Sequence, residues 1–187
     1  MSQLLRLHFE KITSLTDQEF AYILSHFKIK KLKKHQFLLQ AGDKVTYDYF
    51  VVRGLLKASF TKQDGKEHIL QFAMEDWWIS DFQAYFNQTE ATLNIDCIES
   101  VEVLCLSLTD REKLCTEMHK IEHFFRRKSN IGYIALQGRI LSLLNNNAKE
   151  RYNELLKSYP DLFQRVPKTL IAAYLGVSRE TLSRLSS

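Results

Sequence analysis

Residues 168–187 read KTLIAAYLGVSRETLSRLSS, a layout that predicts two short helices joined by a tight turn. Apolar side chains stand at the spacings that two crossed helices need to bury a shared core, at Ile171, Leu175, Val177, Leu182 and Leu185. Ala172 is small where the second helix must cross the first, and Gly176 tolerates the positive φ of the turn. Ser178 is the predicted N-cap of the second helix. The stretch therefore predicts a helix-turn-helix.

The outer face of the second helix carries only polar side chains: Arg179, Glu180, Thr181, Ser183 and Arg184. An arginine can donate two hydrogen bonds to guanine, a glutamate can accept one from cytosine, and hydroxyl groups can hold phosphate. An ordinary amphipathic hairpin of helices would share the apolar spacing. We favour DNA recognition because the small, glycine, cap and polar positions all fit the motif at once.

Length and composition limit the classes of protein that fit. The 187 residues, of which 45% are hydrophobic, suffice for one large or two small packed domains. No run of ~18 apolar residues predicts a membrane span, and the N-terminus lacks the pattern of a secretory signal. Cys97, Cys105 and Cys115 share no CxxC spacing. We therefore expect reduced thiols in a cytoplasmic protein with no membrane partner.

The net charge of +4 hides an uneven distribution. Residues 1–66 hold 12 basic and 6 acidic side chains, and residues 111–187 hold 14 basic and 7 acidic ones. Residues 67–110 hold 9 acidic side chains and no lysine or arginine. The charges could be distributed by chance. The pattern nevertheless favours contact with a polyanion through residues 1–66 and 111–187, and not through residues 67–110.

Hydrophobic periodicity changes twice along the chain. Residues 3–26 predict helices, with Thr16 as a cap. From Phe27 to about Leu108 short alternating runs are separated by tight turns such as Asp64-Gly65, which predicts an antiparallel roll or barrel with a short helix at residues 81–87. Helical spacing returns after Thr109, where Thr109 or Asp110 is the expected cap.

No proline interrupts residues 111–146, which predict one helix of ~50 Å. Its apolar face is too wide for a helix alone in water, so we expect one side on the roll and the other on a second copy. Gly132 and Gly138 would allow close approach of two helices. Packing inside one monomer, or a break near Asn130, is the alternative. Asn145-Asn146-Asn147 is the predicted hinge.

These patterns predict an α+β fold with three parts. Residues 1–110 form an antiparallel β-roll, jelly-roll-like, with N-terminal helices. Residues 111–146 form a long dimerisation helix. Residues 147–187 form a small C-terminal helix-turn-helix domain, in which a helix over residues 149–158 ends before Pro160 and Pro167 stands at the start of the first motif helix.

This order of elements resembles the Crp/Fnr family of bacterial transcription regulators, which are dimers with an effector-binding β-roll. GVSRETLSRL at residues 176–185 is similar to the family's recognition helix, and EDWWISD at residues 75–81 to the segment that leads into its nucleotide pocket. The resemblance implies double-stranded DNA and a second copy as partners, and suggests RNA polymerase as a further one. The sequence ends two residues after Leu185, so the wing that follows the recognition helix in this family is expected to be absent.

The resemblance also assigns the DNA contacts. It implies Arg179, Glu180 and Arg184 as the residues that contact bases. It implies phosphate contacts from Lys168, Thr169, Ser178 and Thr181, and the hydroxyl of Ser183 lies on the same predicted face.

The effector pocket departs from the family pattern. Members that bind cyclic nucleotides have an acidic residue for the ribose and, ten residues later, an Arg-Ser or Arg-Thr pair for the phosphate. Asp81 matches the acidic position, but Ala91 and Thr92 stand where the pair should be. A buried phosphate without a cation lacks the charge-assisted pair that offsets its desolvation. We therefore expect no tight binding of cyclic AMP, unless an arginine of the long helix (Arg126, Arg127 or Arg139) reaches the pocket.

Aromatic side chains crowd the same segment at Trp77, Trp78, Phe82, Tyr85 and Phe86. They are candidates for an apolar effector pocket, although filling the core of the roll is the more common role of such residues. The sequence leaves the effector, and whether one exists, open.

No enzyme chemistry is predicted. The chain has neither G-x-S-x-G nor a glycine-rich phosphate loop, so we expect no catalytic residues and no cofactor. Three scattered cysteines do not suit an iron–sulfur cluster, and no residue stands out as a heme ligand. His119, Glu122 and His123 spell H-x-x-E-H, but a solvated helix face explains this short pattern better than zinc. A dimeric DNA-binding regulator is the favoured function; a ligand-binding or protein-interaction module that no longer reads DNA is the alternative.

Overall fold

The computed structural model describes residues 2–185, which form two compact units. The first unit holds residues 2–60 and Gln71–Lys128, and the second holds Thr61–Leu70 and residues 129–185. The polar end Ser186-Ser187 lies outside the described residues.

Two short helices open the chain, as the sequence predicts. α1 spans Ser2–Glu10 and α2 spans Asp17–Ser25. The hydroxyl of Thr16 accepts a hydrogen bond from the Glu19 N–H at 3.2 Å, and the Glu19 carboxylate accepts one from the Thr16 N–H at 2.7 Å. This capping box confirms the predicted cap, because it satisfies two backbone donors at the start of α2.

Short strands make up the central part of the chain. They are β1 (Phe27–Leu32), β2 (Phe37–Leu39), β3 (Tyr47–Arg53), β4 (Leu56–Thr61), β5 (Glu67–Ala73), β6 (Trp78–Ile79), β7 (Asn94–Cys97) and β8 (Val101–Ser107). They form two four-stranded sheets, ordered β1-β8-β3-β6 and β2-β7-β4-β5. β8 pairs with β1 and β3, β3 with β6, and β7 with β2 and β4, all antiparallel. The predicted α+β fold with an antiparallel β-roll is confirmed.

Apolar side chains from both sheets fill the interior of the roll. Leu56 and Ala58 of β4 belong to this roll core and are almost fully buried. Lys57 alternates to the other face of β4, where its ammonium lies 3.0 Å from the Asp96 carboxylate. Both of these charged side chains are largely buried, and the ion pair offsets part of the cost of removing them from water.

A second hydrophobic cluster, the helix-side cluster, joins the helices to the outer face of sheet β1-β8-β3-β6. Its fully buried members include Leu5, Phe9, Ile23, Phe50, Leu106, Leu114, Ile121 and Phe124. His8 is buried beside them; its Nε2 accepts a hydrogen bond from the Trp78 indole at 3.0 Å, so its Nδ1 carries the proton and donates to Asp76 at 2.7 Å. Burial, reinforced by nearby Lys128, lowers the pKa of His8 to about 4, so its ring is neutral at neutral pH.

The predicted single helix over residues 111–146 is wrong. α4 spans Leu108–Glu117 and α5 spans His119–Asn145, and between them Met118 is extended (φ −132°, ψ 99°). The change of direction lets Leu114 of α4 and Phe124 of α5, which would lie ~15 Å apart along one straight helix, both bury in the helix-side cluster. No break occurs at Asn130, where α5 is continuous.

Side-chain oxygen atoms cap the two helices that flank the last strands of the roll. α3 spans Phe82–Asn87, as predicted, and the Asp81 carboxylate accepts from the Ala84 N–H at 3.2 Å. For α4 the predicted cap is wrong by two or three positions. Ser107 is the cap, because its hydroxyl accepts from the Asp110 N–H at 3.1 Å.

The second half of α5 exposes an apolar face. Large side chains that are about half exposed or more are Ile131, Tyr133, Ile134, Leu136, Ile140, Leu141, Leu143 and Leu144. Leu144 is 75% exposed. A single exposed leucine is common, but several large apolar side chains exposed along one helix indicate an interaction surface. No helix within residues 2–185 has the length and apolar character to cross a bilayer.

Four short helices end the described chain: α6 (Ala148–Ser158), α7 (Pro160–Arg165), α8 (Lys168–Leu175) and α9 (Arg179–Leu185). α6 confirms the predicted helix before Pro160, and Pro167 precedes α8 as predicted. α7 was not predicted; Pro160 takes its first position, where a missing N–H costs nothing. Buried side chains of the four helices form their own small core, at Leu155, Leu162, Val166, Ile171, Ala172, Leu175 and Leu182.

Candidate nucleic-acid interface and effector pocket

The turn between α8 and α9 has the predicted geometry. Gly176 adopts φ +71° and ψ 29°, and its N–H donates to the carbonyl groups near the end of α8. A Cβ at this position would meet no atom within 4 Å, so glycine is favoured by the left-handed backbone and not by lack of space. The Val177 N–H then donates to the Ala172 carbonyl at 3.0 Å, which closes the turn.

Ser178 caps α9 as predicted. Its hydroxyl accepts from the Thr181 N–H at 3.1 Å, and its carbonyl accepts from the Leu182 N–H at 3.0 Å. The Ser178 and Thr181 hydroxyl groups also lie 3.1 Å apart. The two hydroxyls assigned to phosphate contacts therefore share a hydrogen bond at the start of the helix.

α9 has one buried and one exposed side. Leu182 is buried at 2% exposure against the core of α8, and Ile171, Ala172 and Leu175 are buried there too. Of the side chains assigned to DNA, Thr181 is half-buried. The others are exposed, namely Lys168, Thr169, Ser178, Arg179, Glu180, Ser183 and Arg184. Helical spacing therefore places Glu180 and Arg184 opposite Leu182, which anchors the helix, whereas Arg179 lies at the edge of the buried side, three residues before Leu182.

Glu180 is held in its ionised form. Hydrogen bonds from its own backbone N–H and from the Ser178 hydroxyl lower the pKa of its carboxyl group, and nearby Arg179 and Arg184 add to the effect. The outer edge of α9 therefore carries a guanidinium group, a carboxylate and a second guanidinium group. A row of this kind can donate to guanine and accept from cytosine.

Basic side chains of α6 hold the last carbonyl groups of both motif helices. Arg151 donates to the Leu175 carbonyl at 3.1 and 3.2 Å and to the Asn146 carbonyl at 2.6 Å. Lys149 donates to the Leu185 carbonyl at 2.6 Å. Such charges suit the negative ends of helices. Sequence reasoning missed both residues, because a basic residue on an amphipathic helix gives no sign of which distant carbonyl it will reach.

The junction of α5 and α6, where we predict a hinge, is covered by polar contacts. The Glu154 carboxylate accepts from the Ser142 hydroxyl and from the Asn146 amide, each at 2.6 Å. The Asn147 side chain caps α6 and forms a capping box with Glu150. These bonds connect the end of α5 to α6 across the turn.

The candidate effector pocket is filled by its own acidic residue. Asp81 is buried at 2% exposure. One oxygen of its carboxylate accepts from the Thr92 N–H at 2.8 Å, the Thr92 hydroxyl at 3.0 Å and the Leu93 N–H at 3.1 Å. Ala91, at the position where the family has arginine, is also buried. The donors that should hold a ligand phosphate are therefore paired with a carboxylate of the protein.

An open groove of about 680 Å³ lies beside this segment, lined by Lys44, Gln88, Thr89, Glu90 and Thr92. Lys44 is a cation of this groove that the sequence did not single out, because it is distant from Thr92 along the chain. An isolated antiparallel bridge between Lys44 and Glu90 brings the two segments together. The groove thus has one basic and one acidic side chain.

The two tryptophans do not share a pocket. Trp77 packs against the roll core, whereas Trp78 packs in the helix-side cluster with its ring 5.3 Å from that of Phe50. Tyr85 is fully buried, and Phe82 and Phe86 are exposed. Trp78 therefore has a packing role in the helix-side cluster. The five aromatic residues of residues 77–86 do not line one cavity.

The remaining candidate ligands and thiols lie apart. His119 is exposed and lies 3.9 Å from Glu122, while the Nδ1 of His123 pairs with Arg126 at 3.0 Å. Across residues 2–185, His, Cys, Asp and Glu side chains nowhere gather in threes as possible metal ligands. Burial raises the pKa of Cys97 and of Cys105 to about 11, so both are unreactive thiols packed in the roll core.

Comparison with known proteins agrees with this architecture. The family model for the cyclic nucleotide-binding domain matches residues 29–118. The cAMP-activated global transcriptional regulator CRP of Salmonella typhimurium is 24% identical over 183 residues, which cover 91% of this chain and 86% of that protein.

Solved structures show the same fold. FixK2 from Bradyrhizobium japonicum superimposes with a TM-score of 0.71 at 17% identity, covering 86% of this chain and 82% of that one. The c-di-GMP responsive global regulator CLP of Xanthomonas campestris gives a TM-score of 0.70 at 14% identity, with 91% and 89% covered. In both comparisons the matched share of this chain is larger than the roll alone.

Proposed function

Since the chain belongs to the Crp/Fnr family of transcription regulators, we propose that it is a homodimer that binds specific sequences of double-stranded DNA through α9. Residues 1–110 would form the effector part, residues 111–146 the dimerisation part and residues 147–187 the DNA-binding part. The observation that carries the proposal is the edge of α9, where Arg179, Glu180 and Arg184 are exposed while Leu182 is buried.

Each residue of this edge has a role that fits its chemistry. Arg179 and Arg184 would each donate two hydrogen bonds to guanine, and Glu180 would accept from cytosine. Phosphate contacts would come from the exposed side chains around the two helix starts: Lys168, Thr169, Ser178, Thr181 and Ser183. Phosphate contacts fix the register of the helix in the major groove, and base contacts give the sequence preference.

A second copy of the chain would cover the apolar face of α5. Ile134, Leu141 and Leu144 remain 49–75% exposed in the single chain. A continuous apolar face of this length in water favours association. Two parallel helices would bury it and place two recognition helices on one duplex, with half-sites about one helical turn apart. RNA polymerase remains a partner suggested by the family alone.

Cyclic AMP would not bind tightly to the roll. The carboxylate of Asp81 already takes the N–H and hydroxyl of Thr92, and Ala91 supplies no cation. Two of the three arginines of α5 named as substitutes make other contacts within one chain, since Arg139 donates to the Ile69 carbonyl and Arg126 pairs with His123. The family effector site would therefore be closed, and a different effector, if any, would need another mode of binding.

Binding to random duplex DNA at several salt concentrations tests DNA recognition. The logarithm of the affinity should fall steeply and linearly with the logarithm of salt concentration, because phosphate contacts release counterions. Lys168→Ala should reduce the slope by about 2, one contact for each copy, and weaken all sequences alike. Lys113→Ala, at an exposed lysine of α4 in the first unit, is the matched control and should leave the slope unchanged. Absence of salt-dependent binding would refute the proposal and favour the ligand-binding or protein-interaction module.

Calorimetry with cyclic AMP and cyclic GMP tests the closed pocket. We expect no heat of binding at micromolar concentrations. Ala91→Arg, which supplies a cation next to Thr92, should bind more tightly than the wild type. Micromolar affinity in the wild type would show that the Thr92 and Leu93 donors can leave the carboxylate of Asp81 and bind a phosphate instead.

A further inference from the structure

The peptide unit that leads from α8 into the turn is held by both of its polar groups. Its N–H, from Gly176, donates to the Ala172 and Ala173 carbonyl groups at the end of α8. Its carbonyl, from Leu175, accepts two hydrogen bonds from Arg151 of α6, one from Nε at 3.2 Å and one from Nη2 at 3.1 Å. A peptide unit is planar, so fixing both groups fixes the direction in which the chain enters the turn.

The guanidinium group of Arg151 is held by a second carbonyl group. Its Nη1 donates to the Asn146 carbonyl at 2.6 Å. The Asn146 amide in turn donates to the Glu154 carboxylate at 2.6 Å and to the Ser142 hydroxyl at 3.3 Å. Each of the three guanidinium nitrogens therefore donates to a backbone carbonyl of the second unit, and the side chain is half-buried. A planar group placed in advance loses little freedom when it binds the Leu175 carbonyl.

The charge of Arg151 also suits its position. Leu175 is the last residue of α8, and the carbonyl groups at the end of a helix carry a partial negative charge. A hydrogen bond from a charged donor is stronger than one between neutral groups. An apolar side chain at position 151 would remove both donors from the Leu175 carbonyl at once.

α9 depends on the turn for its direction, because packing anchors it at few points. Among its seven residues, all of which are described, Leu182 alone is buried, and Thr181 and Leu185 are half-buried. The connection from α8 consists of Gly176 to Ser178. A short helix with one buried anchor can rotate about that anchor unless its first turn is also held, and here the turn supplies that second point.

We propose that Arg151 is a positioning residue that sets the direction of α9 against the base pairs by holding the peptide unit between Leu175 and Gly176. It contacts neither bases nor phosphates. A binding surface must be held to within about 0.5 Å for all of its contacts to form together. Loss of Arg151 would therefore disturb every base contact of α9. The inference rests on the proposed function, because it concerns the orientation of the same DNA-binding surface.

Affinities for a two-fold symmetric DNA site and for its single base-pair variants test the proposal in the full-length chain. The wild type should prefer its own site by about tenfold or more over each variant at a contacted position. Arg151→Met keeps the aliphatic part of the side chain and should lower this preference to about threefold or less at every contacted position. Arg179→Ala, which removes one base contact, should lower it at one base pair of each half-site.

Salt dependence separates positioning from a phosphate contact. Arg151→Met should bind random duplex DNA within about twofold of the wild type and with the same salt slope, because its guanidinium group is occupied by carbonyl groups. Lys157→Met, at an exposed lysine of the same helix, removes the same charge and should change neither slope nor base preference. A smaller slope in Arg151→Met, or a base preference equal to that of the wild type, would overturn the proposal.

The conservative variant tests the geometry of the contact and covers a failure to fold. Arg151→Lys keeps the charge but lacks the planar fork that spans both carbonyl groups, so its base preference should lie between those of the wild type and Arg151→Met. Circular dichroism and cooperative unfolding show whether each variant folds. If Arg151→Met does not fold, Arg151→Lys decides, and a fully retained preference in that protein would show that the fork does not position α9.

Hydrogen exchange of the backbone amides tests the contact without DNA. In Arg151→Met the amides of Gly176 and Val177, which donate to carbonyl groups at the end of α8, should exchange about tenfold faster than in the wild type. The amides of β8, in the first unit, should exchange at the wild-type rate. Unchanged exchange in the turn would contradict the proposed role of Arg151. If the wild type binds no DNA, the proposed function fails, and exchange still decides whether Arg151 holds the turn.

Discussion

The edge of α9 and the pocket beside α3 use their polar groups in opposite ways. On α9, Arg179, Glu180 and Arg184 lie exposed along a helix whose other side is buried. In the pocket, the carboxylate of Asp81 is buried and accepts three hydrogen bonds from Thr92 and Leu93. Polar groups that are paired inside a fold stabilise it, and a ligand can take them only by breaking those bonds. We therefore expect the edge of α9 to contact DNA and the buried carboxylate of Asp81 to serve the stability of the roll.

The largest effect should come from charging the apolar face of α5. Ile134→Glu with Leu141→Glu would place unpaired carboxylates in the proposed contact of two helices, which is strongly unfavourable. We expect monomers in sedimentation experiments and at least a ~100-fold loss in affinity for a two-fold symmetric DNA site, because one recognition helix makes only half of the contacts.

Leu156→Glu serves as the control, since it makes the same change at an exposed leucine of α6. It should remain a dimer and bind DNA as the wild type does. A doubly substituted protein that stays dimeric would show that the exposed face of α5 is not the contact between copies.

Removal of the buried carboxylate should cost several kcal/mol. Asp81→Ala leaves the N–H groups of Ala84, Thr92 and Leu93 without their acceptor, and we expect a loss of about 2–4 kcal/mol in the free energy of unfolding. Denaturant titration measures this difference.

Asp64→Ala provides the comparison, because Asp64 also accepts from a backbone N–H (that of Lys66) but is exposed. It should cost ~1 kcal/mol or less. Equal losses at the two positions would mean that the bonds of Asp81 do not hold the pocket segment in place.

Acid should destabilise the helix-side cluster through His8. Its pKa is about 4 in the folded protein, against 6.5 for the free side chain, because burial disfavours the charged ring. Between pH 6.5 and about 4 the unfolded chain binds a proton that the folded one does not, so stability falls as pH falls, by up to roughly 3 kcal/mol.

His8→Gln should lack this loss. The difference in unfolding free energy between wild type and variant, measured across this pH range, isolates His8 from other titrating groups such as Asp48, whose pKa burial raises to about 7. A difference that does not vary with pH would contradict the neutral, buried ring.

The parts of the fold that local chemistry determines could be predicted. The turn at Gly176, the caps at Thr16 and Ser178 and the alternating strands each depend on residues within a few positions of one another. The break at Met118 could not be predicted, because no proline or glycine marks it and the reason for it is the shape of the cluster on which α4 and α5 pack. Tertiary packing here outweighs the helical propensity of the segment.

The same distinction holds for the functional residues. The edge of α9 follows from helical spacing alone, so the sequence sufficed to propose it. Arg139 and Arg151 donate to backbone carbonyl groups that are 35 and 24 residues away, at Tyr174 and Leu175, and such contacts leave no sign in the sequence. Lys44 reaches its groove from a distant part of the chain. The self-pairing of Asp81 was missed for the same reason, although the absent arginine at Ala91 already indicated a changed pocket.

Selection of bound fragments from random duplex DNA, by wild type and by Arg179→Ala, tests the central claim most directly. The wild type should select a two-fold symmetric sequence, and Arg179→Ala should lose preference at one base pair of each half-site, at a cost of ~1–3 kcal/mol in affinity for the wild-type site. Gln164→Ala, an exposed position on α7, should select the same sequence as the wild type. If Arg179→Ala selects the same symmetric sequence with undiminished affinity, the edge of α9 does not read the base pairs.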